Sequence, residues 1–183
     1  MAVLPGTKVR LRPVEPGDLT RVFEWYRDPE LVAPFDRFFS DTYESFADSV
    51  ARAAADALSL APRFAVEPLD AHGAVGVVGH YVSHPVLETV EVWYLIGEPS
   101  ARGQGYGREA VGLLVDHVFA TSSVERVGIT CDVENVPSVR LAEGLGFRRE
   151  GTLKRAFYHH ARWHDAYLYG ITRAERASRR PPG

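Results

Sequence analysis

Sulfur is almost missing from this 183-residue chain, which has one cysteine, Cys131, and one methionine, Met1. A single thiol excludes an intrachain disulfide and a cysteine metal cluster. Its neighbours Val127, Ile129 and Val133 place it on a buried strand, where a thiol behaves as a small inert hydrophobe rather than a nucleophile. Long apolar runs are missing too, and no window approaches the roughly 20 residues that a membrane-spanning helix needs. Met1 to Arg12 lacks the apolar stretch of a signal peptide, so a cytoplasmic location is expected. Basic excess is the third absence. With 21 Lys+Arg against 24 Asp+Glu the formal net charge is -3, which removes the broad cationic face on which non-specific nucleic-acid binding depends. Neither nucleic acid nor membrane is therefore an expected partner. What is present is 45% hydrophobic and 25% charged residues without internal repeats, the balance of an ordinary globular domain with one core.

The apolar pattern predicts a layered order. Lys8 to Pro13 alternates, with Val9 and Leu11 on one face, and reads as a half-buried strand. Pro16-Gly17-Asp18 supplies a turn and a helix N-cap. Leu19, Val22, Phe23 and Tyr26 then recur at helical spacing as far as Asp28-Pro29. A second helix is expected over 41–58. Strands are expected over 63–67, 73–81 and 88–96, and the short segment His84-Pro85-Val86-Leu87 makes the last two an antiparallel pair. Residues 107–120 carry the stripe Ala110, Val111, Leu114, Val115, Val118 and Phe119, a strong helix. A strand over 124–133, a helix over 137–143 ending at Gly144-Leu145-Gly146, and strands over 147–156 and 165–172 complete the chain. This is an α/β (α+β) layer protein with a parallel crossover in its middle. One domain is expected over 1–175, and the Arg- and Pro-rich segment 176–183 is expected to be a disordered tail.

The segment Arg102-Gly103-Gln104-Gly105-Tyr106-Gly107 joins a strand to the strong helix. Glycines let the backbone approach an anion and adopt positive φ. The first amides of a helix have no intrahelical partner, and its dipole favours negative charge there. A P-loop would need Gly-Lys-Ser/Thr, but the loop ends Gly107-Arg108-Glu109. A dinucleotide fingerprint would need a third glycine at position 108, which is Arg108. The acetyltransferase pyrophosphate loop, Arg/Gln-x-x-Gly-x-Gly/Ala, is matched in full by Arg102, Gly105 and Gly107. A ligand-free glycine turn is the structural alternative.

With these segments in place, the chain resembles the GNAT superfamily of N-acetyltransferases, and most of all the branch that acetylates ribosomal-protein N-termini. The resemblance runs over nearly the whole length. Val9-Arg10-Leu11-Arg12-Pro13 with Asp18 is similar to the family's first strand and helix start. Trp25 with Asp28-Pro29-Glu30 resembles the branch's W-x-x-D-P-E segment. Asn135-Val136-Pro137-Ser138 followed by Gly146-Phe147 resembles the family's second motif, and Glu150-Gly151-Thr152-Leu153 with Asp165 its closing hairpin. The implied fold is a single-domain mixed sheet, splayed at its centre and flanked by helices. Acetyl-coenzyme A as co-substrate would lie in the split, held by Leu95, Ile96, Arg102, Gly103, Gln104, Gly105, Tyr106, Gly107, Asn135 and Ser138. The implied reaction is direct attack of an amine in a ternary complex. A peptide or protein N-terminus is the first acceptor considered, and an aminoglycoside, amino acid or polyamine the second. A non-catalytic acetyl-coenzyme A sensor is the alternative from another class. Self-association as a homodimer is left open.

The chemistry needs a neutral amine, an oxyanion donor and a stabilised thiolate. Resemblance assigns the oxyanion donor to a backbone amide near Leu95 or Ile96. Glu91 is the candidate base, with Glu88 as rival and a surface carboxylate as the structural reading. If Glu91 faces the cleft, alternation brings Trp93 and Leu95 to face it too. The family's usual tyrosine seven residues after the asparagine is replaced by Ala142, so Ser138 is the candidate donor to the thiolate, with Tyr94 or Tyr158 behind it. Ser138 is equally an ordinary first-turn serine, and Asn135 a helix cap, a coenzyme contact or both. Trp25, Phe35 and Trp93 are candidate acceptor contacts, among aromatics and acids (Asp28, Glu30, Asp36) suited to a cationic amine. His159, His160 and His164 read as an exposed loop, or as a substrate contact or base. Strand alternation puts 160 and 164 on one face and 159 on the other, and no carboxylate motif accompanies them, so no metal is expected.

Overall fold

The computed structural model describes residues 3–33, 42–53, 64–84 and 89–179. Their strands are β1 (Leu4–Pro5), β2 (Val9–Pro13), β3 (Phe64–Pro68), β4 (Gly76–His84), β5 (Thr89–Leu95), β6 (Arg126–Asp132), β7 (Arg148–His159) and β8 (Arg162–Thr172). They form one sheet in the order β1-β2-β3-β4-β5-β6-β8-β7. Its helices are α1 (Leu19–Arg27), α2 (Pro29–Val32), α3 (Tyr43–Ala53), α4 (Tyr106–Thr121), α5 (Val136–Leu145) and α6 (Arg173–Ala177). Neighbouring strands are antiparallel except β5 and β6, which are joined by α4 as the expected parallel crossover.

Helices cover both faces of the sheet, so its central strands are buried on both sides. All five residues of β3 are buried. Phe64 and Val66 join Val9, Leu11, Val78, Val90 and Val92 under α4, whose stripe Ala110, Val111, Leu114, Val115 and Val118 is buried as its period requires. Ala65, Val77 and Leu95 point the other way and pack with Val22, Trp25, Tyr26, Val32 and Phe46 of α1 to α3. Each such Val, Leu or Phe contributes about 1.5–3 kcal/mol by leaving water.

The central feature is a split. β5 pairs with β4 as far as Leu95, and β6 pairs with β8 from Arg126 to Asp132. Between β5 and β6 only Val90↔Val127 and Glu91↔Gly128 are in register, and beyond them the strands part. The sheet is thus two antiparallel halves joined at the root of a V.

Three expectations need correction. Asp18 heads α1 without a side-chain cap bond. Its carboxylate instead accepts from Arg12 Nη1 and Nη2 at 2.7 and 2.9 Å and from the Glu15 amide at 2.9 Å, because a buried carboxylate needs a charged partner more than the exposed helix end needs a cap. The final hairpin is longer than its apolar pattern: β7 runs to His159, and His160 and Ala161 turn with φ of 50° and 59°. That turn conformation usually signals itself as Asn-Gly or Asp-Gly, which His-Ala does not. Lastly, the expected tail begins too early at 176. Arg176 donates to both oxygens of Asp116 and to the Gly112 carbonyl, and α6 carries a Thr172/Glu175 capping box, so 176–179 belong to the folded unit.

Candidate active site

A cavity of about 680 Å³ fills the V, at the carboxyl ends of the two parallel strands, where α/β sheets bind their ligands. Val92 to Ile96 form one wall and Ile129 to Cys131 the other, with the glycine loop and the first turns of α4 and α5 closing it.

The loop has the backbone its composition calls for. Gly103 and Gly105 have φ of 74° and 84°, and Gly105 is the left-handed N-cap of α4. A side chain at either is strained. Gly107 is needed for another reason: a Cβ there would lie 3.3 Å from the Tyr94 ring and 3.4 Å from Ile96, so its absence lets α4 close on β5. Arg102 does not simply lend charge to an anion. Its Nε donates to the Ile96 carbonyl at 3.1 Å and its Nη2 to that of Gly97 at 3.0 Å, stapling the loop to the end of β5. Lys8 Nζ donates to the Gln104 carbonyl at 3.1 Å. Glu109, in the first turn of α4, accepts from the amides of Thr7, Lys8 and Val9 at 2.6, 2.8 and 2.9 Å. Burial would raise its pKa, but these bonds outweigh burial and hold it below the usual carboxylate range. Left-handed glycines before a helix start, beside Lys8, Arg102 and Arg108, suit a pyrophosphate. All the loop residues proposed as coenzyme contacts line the cavity except Gln104.

Asn135 caps α5, its Oδ1 accepting from the Ser138 amide at 3.2 Å, and it also lines the cavity. Ser138 is 5% exposed, and its hydroxyl interacts with both the Tyr94 phenol and the Cys131 thiol. Burial raises the pKa of that phenol, and pushes Cys131 up to about 11, so the thiol is protonated at neutral pH. Ala142 is fully buried in the core. Tyr94 instead reaches the Ser138 region from β5, a residue that sequence reasoning held only in reserve; the alternation opposite Trp93 was its one signal. Tyr158 is exposed and stacks edge-on with Trp163, away from the cavity. Arg140, exposed on α5 at the cavity wall, was not anticipated at all.

Glu91 sits at the root of the V opposite Gly128. Its Oε2 accepts from Tyr81 Oη at 3.1 Å and from Thr130 Oγ1 at 3.2 Å. Thr130 lines the cavity and Glu91 does not, lying one layer behind it. Leu95, Ile96 and Trp93 are in the wall. Trp93 lies over Gly79, and its indole N–H has no hydrogen-bond partner among the described residues. Trp25, expected at the acceptor, is a core residue 7% exposed. Its ring covers Gly97 so closely that a Cβ there would come within 2.0 Å. Phe35, Phe38, Phe39, Asp36 and Glu88 lie outside the described residues. Asp28 caps α2, leaving Glu30 and Leu31 as the described α2 residues at the cavity mouth. The histidines are not a loop: His159 and His164 are buried on one face and only His160 is exposed.

Known proteins agree with this geometry. A family profile described as an acetyltransferase (GNAT) domain matches residues 8–148. An uncharacterized N-acetyltransferase, YnaD of Bacillus subtilis, is 31% identical over 54% of this chain and 59% of its own, so the match spans well under two thirds of that relative. The ribosomal-protein-serine acetyltransferase of Escherichia coli is 33% identical over 52% of each chain. The structure of spermidine N-acetyltransferase from Vibrio cholerae, in complex with CoA and spermine, superposes with a TM-score of 0.82 at 21% identity, covering 94% of this chain and 99% of that one. By the family match over most of its length, and by a sheet split where β5 and β6 part, the chain belongs to the GNAT acetyltransferase family.

Proposed function

We propose that this protein acetylates a primary amine from acetyl-coenzyme A by direct attack in a ternary complex, with a peptide or protein N-terminus as the first acceptor. The observation that carries the reading is the V between β5 and β6 with the left-handed Gly103 and Gly105 at its mouth. Bound acetyl-coenzyme A supplies a thioester whose carbonyl carbon takes the amine nitrogen as the carbon–sulfur bond breaks. The chain's residues do the rest. The loop, with Lys8, Arg102 and Arg108 behind it, would hold the pyrophosphate. Beyond Glu91, β5 has no strand beside it in the split, and a backbone amide near Leu95 or Ile96 would donate to an oxyanion. Ser138 and Tyr94, two hydroxyl residues lining the same cavity, would protonate the leaving sulfur. Glu91 would receive the amine proton through Thr130 or a water between them. Cys131, protonated and packed against Ser138, gives no support to an acetyl-enzyme.

A polyamine is the second reading, favoured by the exposed Glu30 carboxylate at the mouth and by the likeness to a spermidine acetyltransferase. A cytoplasmic location suits an enzyme fed by acetyl-coenzyme A. The test is release of the free thiol, followed with a thiol dye across peptides of differing N-termini, polyamines, amino acids and aminoglycosides. Release that depends on peptide supports the first reading, and on spermidine the second. Tight coenzyme binding with no release across the panel would leave the sensor.

A further inference from the structure

The end of the β7–β8 hairpin holds a cluster that acetyl transfer does not use. Because the chain turns at 160–161, β7 and β8 pair Phe157 with His164 and His159 with Arg162. His159 and His164 therefore share a face, contrary to the reading of the histidines as one continuous strand. Their rings stack at 3.7 Å. Asp132, at the end of β6, meets them: His159 Nε2 is 2.6 Å and His164 Nδ1 3.1 Å from Asp132 Oδ2. The three side chains are buried, at 1%, 8% and 4% exposure for Asp132, His159 and His164. One ligand atom from each lies within 4.8 Å of the others.

One observation says that something beyond these side chains belongs here. His164 is at least nine-tenths buried, yet neither ring nitrogen has a hydrogen-bond partner among the described residues. The 3.1 Å approach to Asp132 lacks hydrogen-bond geometry. A buried imidazole left this way forfeits its hydration for nothing. His159 Nδ1 lies 2.8 Å from His160 Nδ1, and His160 Nε2 lies 3.3 Å from Glu30 Oε2. With a cation at the Asp132 end, His159 Nε2 would offer its lone pair inward, its Nδ1–H would donate to His160, and His160 Nε2–H would donate to Glu30. This outer chain is the kind of support that metal-bound histidines characteristically have.

We propose that Asp132, His159 and His164 form a binding site for a divalent transition-metal ion, Zn²⁺ in the first instance, which ties the hairpin end to β6. Two imidazoles and one carboxylate suit Zn²⁺, with a fourth position left for water or Glu134. Glu134 Oε2 is 3.7 Å from His164 Nδ1 and is otherwise paired with Arg162. An ion here would hold Asp132 beside Cys131 and, through His160, bring the hairpin to Glu30 at the cavity mouth. The inference stands independently of which amine is acetylated.

The test uses the full chain without an affinity tag, stripped with EDTA and dialysed. Calorimetry should show one equivalent of Zn²⁺, and Co²⁺ should give the visible bands of a four-coordinate site. Zn²⁺ near 100 times its Kd should raise Tm by about 5–10 °C. His164→Asn should weaken Zn²⁺ by about 100-fold or more while its metal-free Tm stays near that of the parent. His160→Gln should weaken it by about 10–100-fold through the outer chain. Equal Zn²⁺ affinity in His164→Asn overturns the assignment. Should that variant not fold, the parent decides alone, because absence of Co²⁺ bands and of Zn²⁺ uptake at one equivalent also overturns it.

Discussion

The two sides of the cavity are built differently. The side proposed for the coenzyme comes from two continuous stretches, residues 96–108 and 135–141, each a turn followed by a helix start. The side proposed for the acceptor is assembled from Glu30 and Leu31 on α2, Trp93 on β5 and Thr130 on β6, with the hairpin end reaching Glu30 through His160. The first is local backbone chemistry: left-handed glycines, a cap and a helix dipole. The second exists only because distant strands pair in one register. A motif can therefore be read on the coenzyme side, whereas the acceptor side has no contiguous signature.

Substitutions on the two sides should separate accordingly. The largest effect is expected from Gly105→Glu, which puts a β-carbon on a φ of 84° and a negative charge where the pyrophosphate would lie. Coenzyme affinity should fall by at least about 100-fold, or roughly 3 kcal/mol. Unchanged affinity by calorimetry would show that the loop is only a turn. Next, Tyr94→Phe and Ser138→Ala should each lower kcat by about 10–100-fold with little change in KM, and the double variant should lose less than the product, because the hydroxyls act as one unit. Full additivity would assign them separate roles.

Gly97→Ala tests the acceptor side's foundation. Its new methyl meets the Trp25 ring at 2.0 Å, so stability should drop by about 1–3 kcal/mol from overpacking. A thermal midpoint equal to that of the parent would mean that Trp25 has room to move, and would return it to the list of acceptor residues. The smallest effect is a pH dependence. The folded-state pKa of Glu109 lies below its unfolded value, so its contribution is present above the unfolded carboxylate pKa and is lost as pH falls through the folded one. In Glu109→Gln the acid limb of the stability–pH curve should be shallower than in the parent. Identical acid limbs would mean that the Thr7, Lys8 and Val9 amides find other acceptors.

Much of the site was legible in advance, but as positions rather than roles. The strong helix, the parallel crossover and the capping Asn135 stand where their patterns put them. Arg102, expected as a coenzyme contact, is also a staple, because the carbonyls of Ile96 and Gly97 come back within its reach only once β5 has ended. Trp25 was read as a cleft aromatic and is core, because helical spacing shows which residues share a face but not what that face meets. Tyr94 was undervalued because its hydroxyl gains meaning only from Ser138, 44 positions away.

The sequence by itself determined what depends on near neighbours: the alternation of β2, the 3.6-residue stripe of α4, the glycines at positive φ and the cap of α5. Period and local conformation are set within a few residues, so a single chain displays them. Only the tertiary structure decided where β5 and β6 part, and that Glu91 stands one layer behind Thr130. It alone decided that a hairpin turning at 160–161 stacks His159 on His164 over Asp132. The physical reason is register: one residue's difference in where a hairpin turns reverses the face of every side chain beyond it. No local pattern in His159-His160-Ala161 announces that choice.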